Sequence, residues 1–454
     1  MKSLVIVANR LPVQAPTRGR GQWTRSPGGL AEALHRTLAA RGGTWIGWPG
    51  GRNLVGLPTD LGYELHPVQL EAADLRGYYD GFANATLWPL YHDVIRQPVY
   101  HRAWWNDYVR VNRRFADAVA DTAPPGGAVW IHDYHLQLVP SFIRERRPDL
   151  RIGFFLHIPF PPAELFARLP WRREVLNGMA GADLIGFQTP RDADNFCLAE
   201  ARLARPDRDG HVPRGNRRVA AYPVSIDYEH WNHISHLPEV EERIVELRSQ
   251  LGSPSAVLLG VDRLDYTKGI EQRLRAFREL LQEGRLTVPE SVLVQVASPS
   301  RDRVTAYRNE RGRIEQLVGE INGDFARVGA PAVHYIHQPL EPPEVAALYR
   351  AADVMLVTPL HDGMNLVAKE FVASRIADRG VLVLSEFAGA AYELTEALLV
   401  NPHDIEDLKR AILSALSLPE GEISRRMRMM RSTVEHHTVY DWAQRFLDDL
   451  VPVQ

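Results

Sequence analysis

The sequence predicts an α/β protein built from two doubly wound parallel-sheet domains. Three observations point there: a length of 454 residues, two separate series of short apolar runs, and a polar interval between them. At about 150 residues per domain the chain exceeds one ordinary core, and two large domains fit it. The first series is LVIVAN (4–9), AVWIH (128–132), IGFFLHI (152–158), LIGFQ (184–188) and VAAYPV (219–224). These runs are apolar throughout, and longer amphipathic stretches separate them. Strands covered by helices on both faces of a parallel sheet read this way. From 256 the pattern restarts with AVLLGVDRL, SVLVQVAS (291–298), AVHYIHQ (332–338), DVMLVTP (353–359), GVLVLSE (380–386) and ALLVNP (397–402), which predicts a second sheet.

The interval 226–253 is polar and charged, with a solvated helix in its middle. A boundary is expected within 230–250, giving an N-terminal domain over 1–235 and a C-terminal domain over 236–434. The amphipathic stretch in 435–454 is expected to pack back on the first domain. Open α/β sheets bind ligands outside the carboxyl ends of their strands, so a cleft between the domains is the expected site.

Composition excludes several partners. Lys plus Arg total 53 against 56 Asp plus Glu, a net charge of -3, so neither nucleic acid nor an anionic membrane is expected, and an anionic ligand must be met locally. Cys197 is the only cysteine, which excludes an intramolecular disulfide framework and a thiolate metal cluster and agrees with a reducing, cytoplasmic setting. The first apolar run reaches Asn9 and Arg10 too early for a signal-peptide core, and no apolar stretch approaches the roughly 18 residues of a membrane span. His132, Asp133 and His135 lack a clear third protein ligand, so no metal is expected.

The chemistry collects in turns after strands. In TPLHDGMNLVAKE (358–370), Gly363 permits an unusual backbone angle or a close ligand approach. Asn365 is placed to cap a helix whose first amides, Leu366 and Val367, face an anion. Glu370, on the same helix, suits sugar hydroxyls, and Asp362 sits at the mouth of the turn. An ordinary strand-turn-helix junction would look similar. GVDRLDYTKG (260–269) sharpens the reading, because Arg263 and Lys268 at another strand end would neutralise a departing diphosphate. Neither GxxxxGK[ST] nor GxGxxG occurs at these strand ends, which argues against a P-loop NTPase and a standard dinucleotide site.

The first domain offers Arg10, the glycine turn SPGGL (26–30), Asp133 and His157 at its strand ends. His157, beside Pro159, is either a ligand group or a core histidine. In YYDGFANATLWP (78–89), Tyr79 and Trp88 either stack on a pyranose or belong to the core. Arg301 follows the strand SVLVQVAS, whereas RRMRMMR (425–431) and the other arginines of 301–313 read as solvated helix faces. His436 and His437 read as surface or packing residues.

The ordered motifs ANRLP, SPGGLAEAL, WIGWPG, YYDGFANATLWP, IHDYHL, RIGFFLHIPFP, GFQT, VDRLDYTKG, DGMNLVAKE and LSEFAGAAYEL resemble those of the retaining glycosyltransferases of the trehalose-6-phosphate synthase family. The likeness runs from about residue 3 to the final helix. It implies a GT-B fold, with a nucleoside-diphosphate glucose mainly on the second domain and a glucose 6-phosphate acceptor mainly on the first. By this resemblance Arg263 and Lys268 grip the donor diphosphate, the segment Asp362, Gly363, Met364, Asn365, Leu366 and Val367 contacts the donor, and Glu370 takes the ribose. Asp362 and His157 would bond the donor glucose, and Gly29 would approach the donor phosphates. Arg10, Tyr79, Trp88, Asp133 and Arg301 match acceptor positions. The catalytic set is Arg263, Lys268, Asp362, His157 and Asp133.

The implied transfer proceeds on one face without a metal or other cofactor. A homodimer or tetramer and a separate phosphatase are implied too, since the chain stops at Gln454 without a phosphatase-like extension. Pro342 and Pro343 stand where relatives often carry a basic residue. The competing readings are a sister transferase using glycerol 3-phosphate and a catalytically silent sugar-phosphate sensor. The donor base (UDP, GDP or ADP) stays open.

Overall fold

A computed structural model describes residues 4–14, 23–25, 29–51, 54–203, 217–301 and 303–452. The chain forms two compact units, one of Met1–Val224 with Val439–Gln454 and the other of Ser225–Thr438. The expectation of two parallel α/β sheets is borne out.

In the first unit the strands are β1 (Leu4–Arg10), the small antiparallel pair β2 (Val13–Gln14) and β3 (Thr24–Arg25), β4 (Gly43–Trp48), β5 (Glu64–Pro67), β6 (Ala128–His132), β7 (Arg151–Phe155), β8 (Leu184–Phe187) and β9 (Arg218–Ala221). Seven of them make one parallel sheet in the order β5-β4-β1-β6-β7-β8-β9. The order reverses between β1 and β6, so their carboxyl ends, at Arg10 and Asp133, flank the crevice of this sheet. The apolar runs alone do not disclose β4 and β5. Glycines interrupt the first (GTWIGW), and the second is the edge strand ELHP, partly exposed and ended by proline.

The helix Val439–Leu450 belongs to this unit. Its buried residues Val439, Trp442, Ala443, Phe446, Leu447 and Leu450 recur every three or four positions, one apolar face of a helix. Phe446 stacks on Trp130 at 4.5 Å between centroids, and Asp449 accepts from Arg218 and from the Tyr222 hydroxyl at 2.5 and 2.6 Å.

The second unit holds β10 (Ala256–Arg263), β11 (Ser291–Ser298), β12 (Val333–Ile336), β13 (Val354–Val357), β14 (Val381–Ser385) and β15 (Leu398–Val400), all parallel, in the order β12-β11-β10-β13-β14-β15. That is a doubly wound nucleotide-binding order, reversing between β10 and β13. The turns 264–269 and 358–365 therefore rise side by side from the switch point.

The helices Tyr228–Ser235 and Pro238–Gln250 both lie in this unit, so its start precedes the 235/236 boundary expected from composition. The physical reason is packing: Trp231 meets Tyr349, and Arg350 donates to the Ser235 carbonyl at 2.9 Å. Pro342 and Pro343 open the helix Pro342–Ala351, where a fixed φ and a missing N–H cost nothing. Among the described residues no helix is long and apolar enough to cross a membrane.

Candidate active site

The turn after β13 is built around Asn365. Its side chain accepts from the Ala368 amide at 3.2 Å and so caps the helix Leu366–Ser374. The left-handed backbone falls on Asn365 (φ 83°) rather than on Gly363, so of the two uses expected of that glycine the unusual backbone angle is not seen. Asn can hold this conformation because its short polar side chain bonds locally. Gly389 packs tightly against this turn, where a Cβ would lie 2.0 Å from the Gly363 carbonyl oxygen. Hydrogen bonds from Gly389 to the Asp362 carbonyl (3.1 Å) and from Ala390 to the Met364 carbonyl (2.8 Å) fix the turn. Leu366 and Val367 contribute the first amides of the helix, which have no acceptor within it.

Opposite stands the turn after β10. Lys268 Nζ lies 2.5 Å from Asp362 Oδ2, with side chains 10 % and 14 % exposed, and Asn365 Nδ2 reaches the same oxygen at 3.1 Å. Arg263 ends β10 on the exposed side. Asp265 is buried and accepts from Arg301 at 3.0 Å, from the Tyr307 hydroxyl at 3.1 Å, and from the Thr267 amide and hydroxyl, each at 3.1 Å. Burial pushes its carboxyl up, but Arg301, Lys268 and Arg263 together outweigh this and hold it below the usual range. Arg263, Lys268 and Arg301 thus all act on Asp265, and Lys268 also pairs with Asp362, which gathers three cations at this strand end. Glu370 accepts from the Tyr349 hydroxyl at 3.1 Å, and burial raises its carboxyl to about 7.

In the first unit, Arg10 lies with its guanidinium 4.7 Å from the Trp48 ring and 5.9 Å from the Tyr79 ring. Tyr79 stacks on His135 at 5.6 Å, on a π-helical run Leu75–Leu87. Asp133 holds φ 76°, a conformation that costs roughly 1–3 kcal/mol and gathers at functional sites. Its carboxylate accepts from the His157 amide at 3.3 Å. His132 Nδ1 and His157 Nε2 are 3.1 Å apart. Burial lowers both rings, His157 to about 3, and His157 lowers His132 further, so the pair is neutral at physiological pH.

Trp88 lies deeper than Tyr79. It is 4 % exposed and packs on His92 and Tyr134 at 4.2 and 5.7 Å. Gly29 opens the helix Gly29–Arg41, and residues 26–28 of the glycine turn lie outside the described residues.

His132, Asp133 and His135 do not converge on a common point as metal ligands do. Among the described residues one acidic group, Glu279, Glu283 and Glu406, is close enough for a metal, but Lys409 Nζ already sits among these carboxylates. His437 is a packing residue with a partner, bonding Glu393, which also holds the buried Lys369 at 2.6 Å.

Residue-type reasoning missed Asp265, Arg273 and Trp48. Arg273 is fully buried beneath the turn 264–269, yet Ile270, Leu274, Phe277 and Leu281 set an apolar stripe that already includes position 273 at helical spacing. Trp48 ends β4 opposite Arg10, a register that follows only from strand pairing.

Two sheets in this order, with paired anion-adapted turns at one reversal, define the GT-B class of glycosyltransferase. The chain belongs to glycosyltransferase family 20, whose family model matches residues 2–451. It is 52% identical over 470 residues to the trehalose-6-phosphate synthase of Mycobacterium tuberculosis (strain ATCC 25618 / H37Rv), covering 98% of this chain and 94% of that protein. It is also similar to an α,α-trehalose-phosphate synthase (UDP-forming) from Burkholderia xenovorans in complex with glucose-6-phosphate, with TM-score 0.88, 35% identity and coverage of 99% and 100% of the two chains. An E. coli trehalose-6-phosphate structure bound with UDP-2-fluoro glucose matches with TM-score 0.89 and 33% identity over 100% of both chains.

Proposed function

We propose that this protein is a retaining glucosyltransferase that moves glucose from UDP- or GDP-glucose to glucose 6-phosphate, giving α,α-trehalose 6-phosphate and a nucleoside diphosphate. One observation carries the reading: at the strand-order reversal of the second sheet, a largely buried Lys268–Asp362 pair stands beside a capped helix amino terminus. The full-length similarity to trehalose-6-phosphate synthases supports the substrate pair. Arg263, Lys268 and the amides of Leu366 and Val367 take the donor diphosphate, while Asp362 and His157 bond the glucose. Met364 and Asn365 shape the turn, and Gly29 belongs to the donor side. Arg10, Tyr79, Trp88, Asp133 and Arg301 take the acceptor, Trp88 from a position packed on Tyr134 and His92.

The acceptor hydroxyl adds to the anomeric carbon on the face from which the diphosphate departs. The C–O bond to the diphosphate breaks, and a donor phosphate oxygen takes the hydroxyl proton. Catalysis is positioning plus leaving-group electrostatics, with no metal in the scheme. A residual reaction that needs a divalent cation would contradict it. A cytoplasmic setting rests on the single cysteine, and a dimer or tetramer and a separate phosphatase consuming the product rest on the family resemblance.

The test is nucleotide release with UDP-glucose and GDP-glucose, each offered glucose 6-phosphate or glycerol 3-phosphate, with product identified by mass and anomeric NMR. Release with glucose 6-phosphate alone, yielding an α,α-linked disaccharide phosphate, is the expected result. Release with glycerol 3-phosphate would make the chain a glucosylglycerol-phosphate synthase, and tight binding without turnover would make it a sensor.

Glu370 gives this reading a pH signature. A ribose hydroxyl donates more strongly to a carboxylate than to a carboxylic acid, and the Glu370 carboxyl, raised to about 7 by burial, loses its proton between pH 6 and 8. Donor KM is therefore expected to fall across that interval, with Glu370→Gln raising KM about tenfold at pH 8 and flattening the profile. The stability sign is opposite. Because the folded pKa lies above the unfolded one, the folded protein keeps a proton that the unfolded chain releases, so Glu370 costs stability increasingly from about pH 4.5 to 7. Glu370→Gln should unfold at a higher temperature than the parent at pH 8 and at a similar one at pH 4.5.

A further inference from the structure

We propose that Asp265 is a positioning residue for the transfer: it fixes the Arg301 guanidinium for an acceptor phosphate and ties that arginine to the Arg263–Lys268 turn. The inference rests on the reading that Arg301 binds the acceptor. Its basis is geometric. Asp265 Oδ2 receives Arg301 Nη1 at 3.0 Å and the Tyr307 hydroxyl at 3.1 Å, and Arg301 also bonds that hydroxyl, which closes a triangle. The Tyr307 ring lies 5.3 Å from the same guanidinium. The other oxygen, Oδ1, receives the Thr267 amide and hydroxyl at 3.1 Å each, and the Asp265 carbonyl receives the Lys268 amide at 3.0 Å. One buried carboxylate therefore spans two loops that leave β10 and β11 side by side.

The arrangement answers a specific difficulty. Arg301 leaves β11 with a left-handed backbone (φ 50°), and a long arginine there would sample many rotamers. Three cations, Arg263, Lys268 and Arg301, also act on the Asp265 carboxylate, and like charges gathered near one group repel one another. Asp265 offsets that repulsion and selects one Arg301 orientation through a single nitrogen, Nη1. Asparagine removes the charge and presents an N–H to a cluster of donors. Glutamate keeps the charge but moves it one methylene outward.

Steady-state kinetics of Asp265→Asn, Asp265→Glu, Arg301→Ala and the Asp265→Asn/Arg301→Ala pair, with donor and acceptor varied separately, tests this. Asp265→Asn should raise acceptor KM about tenfold with donor KM within about twofold, and should add nothing once Arg301 is gone. Asp265→Glu should recover part of the loss. An unchanged acceptor KM in Arg301→Ala would sink the reading of Arg301 itself. A normal Arg301 effect with an independent, multiplicative Asp265→Asn effect would overturn the proposal while leaving that reading intact, as would equal losses for both substrates with a lowered Tm. If Asp265→Asn fails to fold, Tyr307→Phe carries the same cycle, with an expected rise in acceptor KM of about threefold that vanishes without Arg301.

Discussion

Lys268→Ala should lower kcat by about 10²–10³-fold, the usual consequence of removing one preorganised group from a developing charge. The Lys268 ammonium is 10 % exposed, so its field is little screened, and Asp362 holds it at 2.5 Å. When the diphosphate leaves, negative charge grows on its bridging oxygen, and a nearby fixed cation stabilises that charge more than it stabilises the bound donor. The loss should fall on kcat and kcat/KM together, with a smaller change in donor KM. The variant also takes from Asp362 its buried cationic partner while the Asn365 Nδ2 contact at 3.1 Å stays, so some stability is lost as well. The double variant Lys268→Ala/Asp362→Asn separates the two effects: it should regain thermal stability and stay inactive. Nucleotide release under saturating acceptor, read beside a melting curve, decides the matter. A kcat within about threefold of the parent would remove Lys268 from the leaving-group site.

The sheets were legible because parallel strands covered on both faces read as uninterrupted apolar runs, as in AVWIH and VMLV. Strand-end chemistry was legible for a related reason. In a βα unit the polar residues just past a run must lie at the carboxyl edge, which located Arg10, Asp133, Arg263 and Asp362. Partner choice was not legible. Lys268 meets Asp362 across 94 residues because β10 lies beside β13, and nothing in either run states that neighbour. The same holds for Asp265 with Arg301, joined by the pairing of β10 with β11. Residue type misled where local geometry decides, as when the left-handed position fell on Asn365 and not on Gly363. Trp88 shows the remaining gap: an aromatic ring in a polar motif gives no sign of how deep packing sets it, and this one is 4 % exposed.

Arg273→Met is expected to destabilise the second unit by about 3–5 kcal/mol, the range for removing one partner from a buried ion pair. The guanidinium is 0 % exposed, and its Nη1 donates to Asp262 Oδ2 at 2.7 Å and to Gln295 Oε1 at 2.9 Å. Gly260 is required beside it, since a Cβ there would lie 2.0 Å from Nη1. Nε and Nη2 both reach Thr358 Oγ1 at 3.2 Å, and Nη2 reaches the Lys268 carbonyl at 3.4 Å. One side chain thus pins the turn after β10 to the turn after β13 from below. Methionine fills similar volume, so the cost falls on the stranded Asp262 carboxylate rather than on a cavity. Tm should drop by roughly 10 °C. Adding Asp262→Asn should return at least half of that, because a neutral amide keeps its contact with Gln295 and leaves no unpaired charge. A single variant that melts with the parent would show that the pair carries no net stability. If instead both variants fold well and turnover stays low, the arginine matters chiefly for holding Lys268 and Thr358 in register, and its conservative replacement Arg273→Lys, which lacks the planar fork, should fail to restore activity.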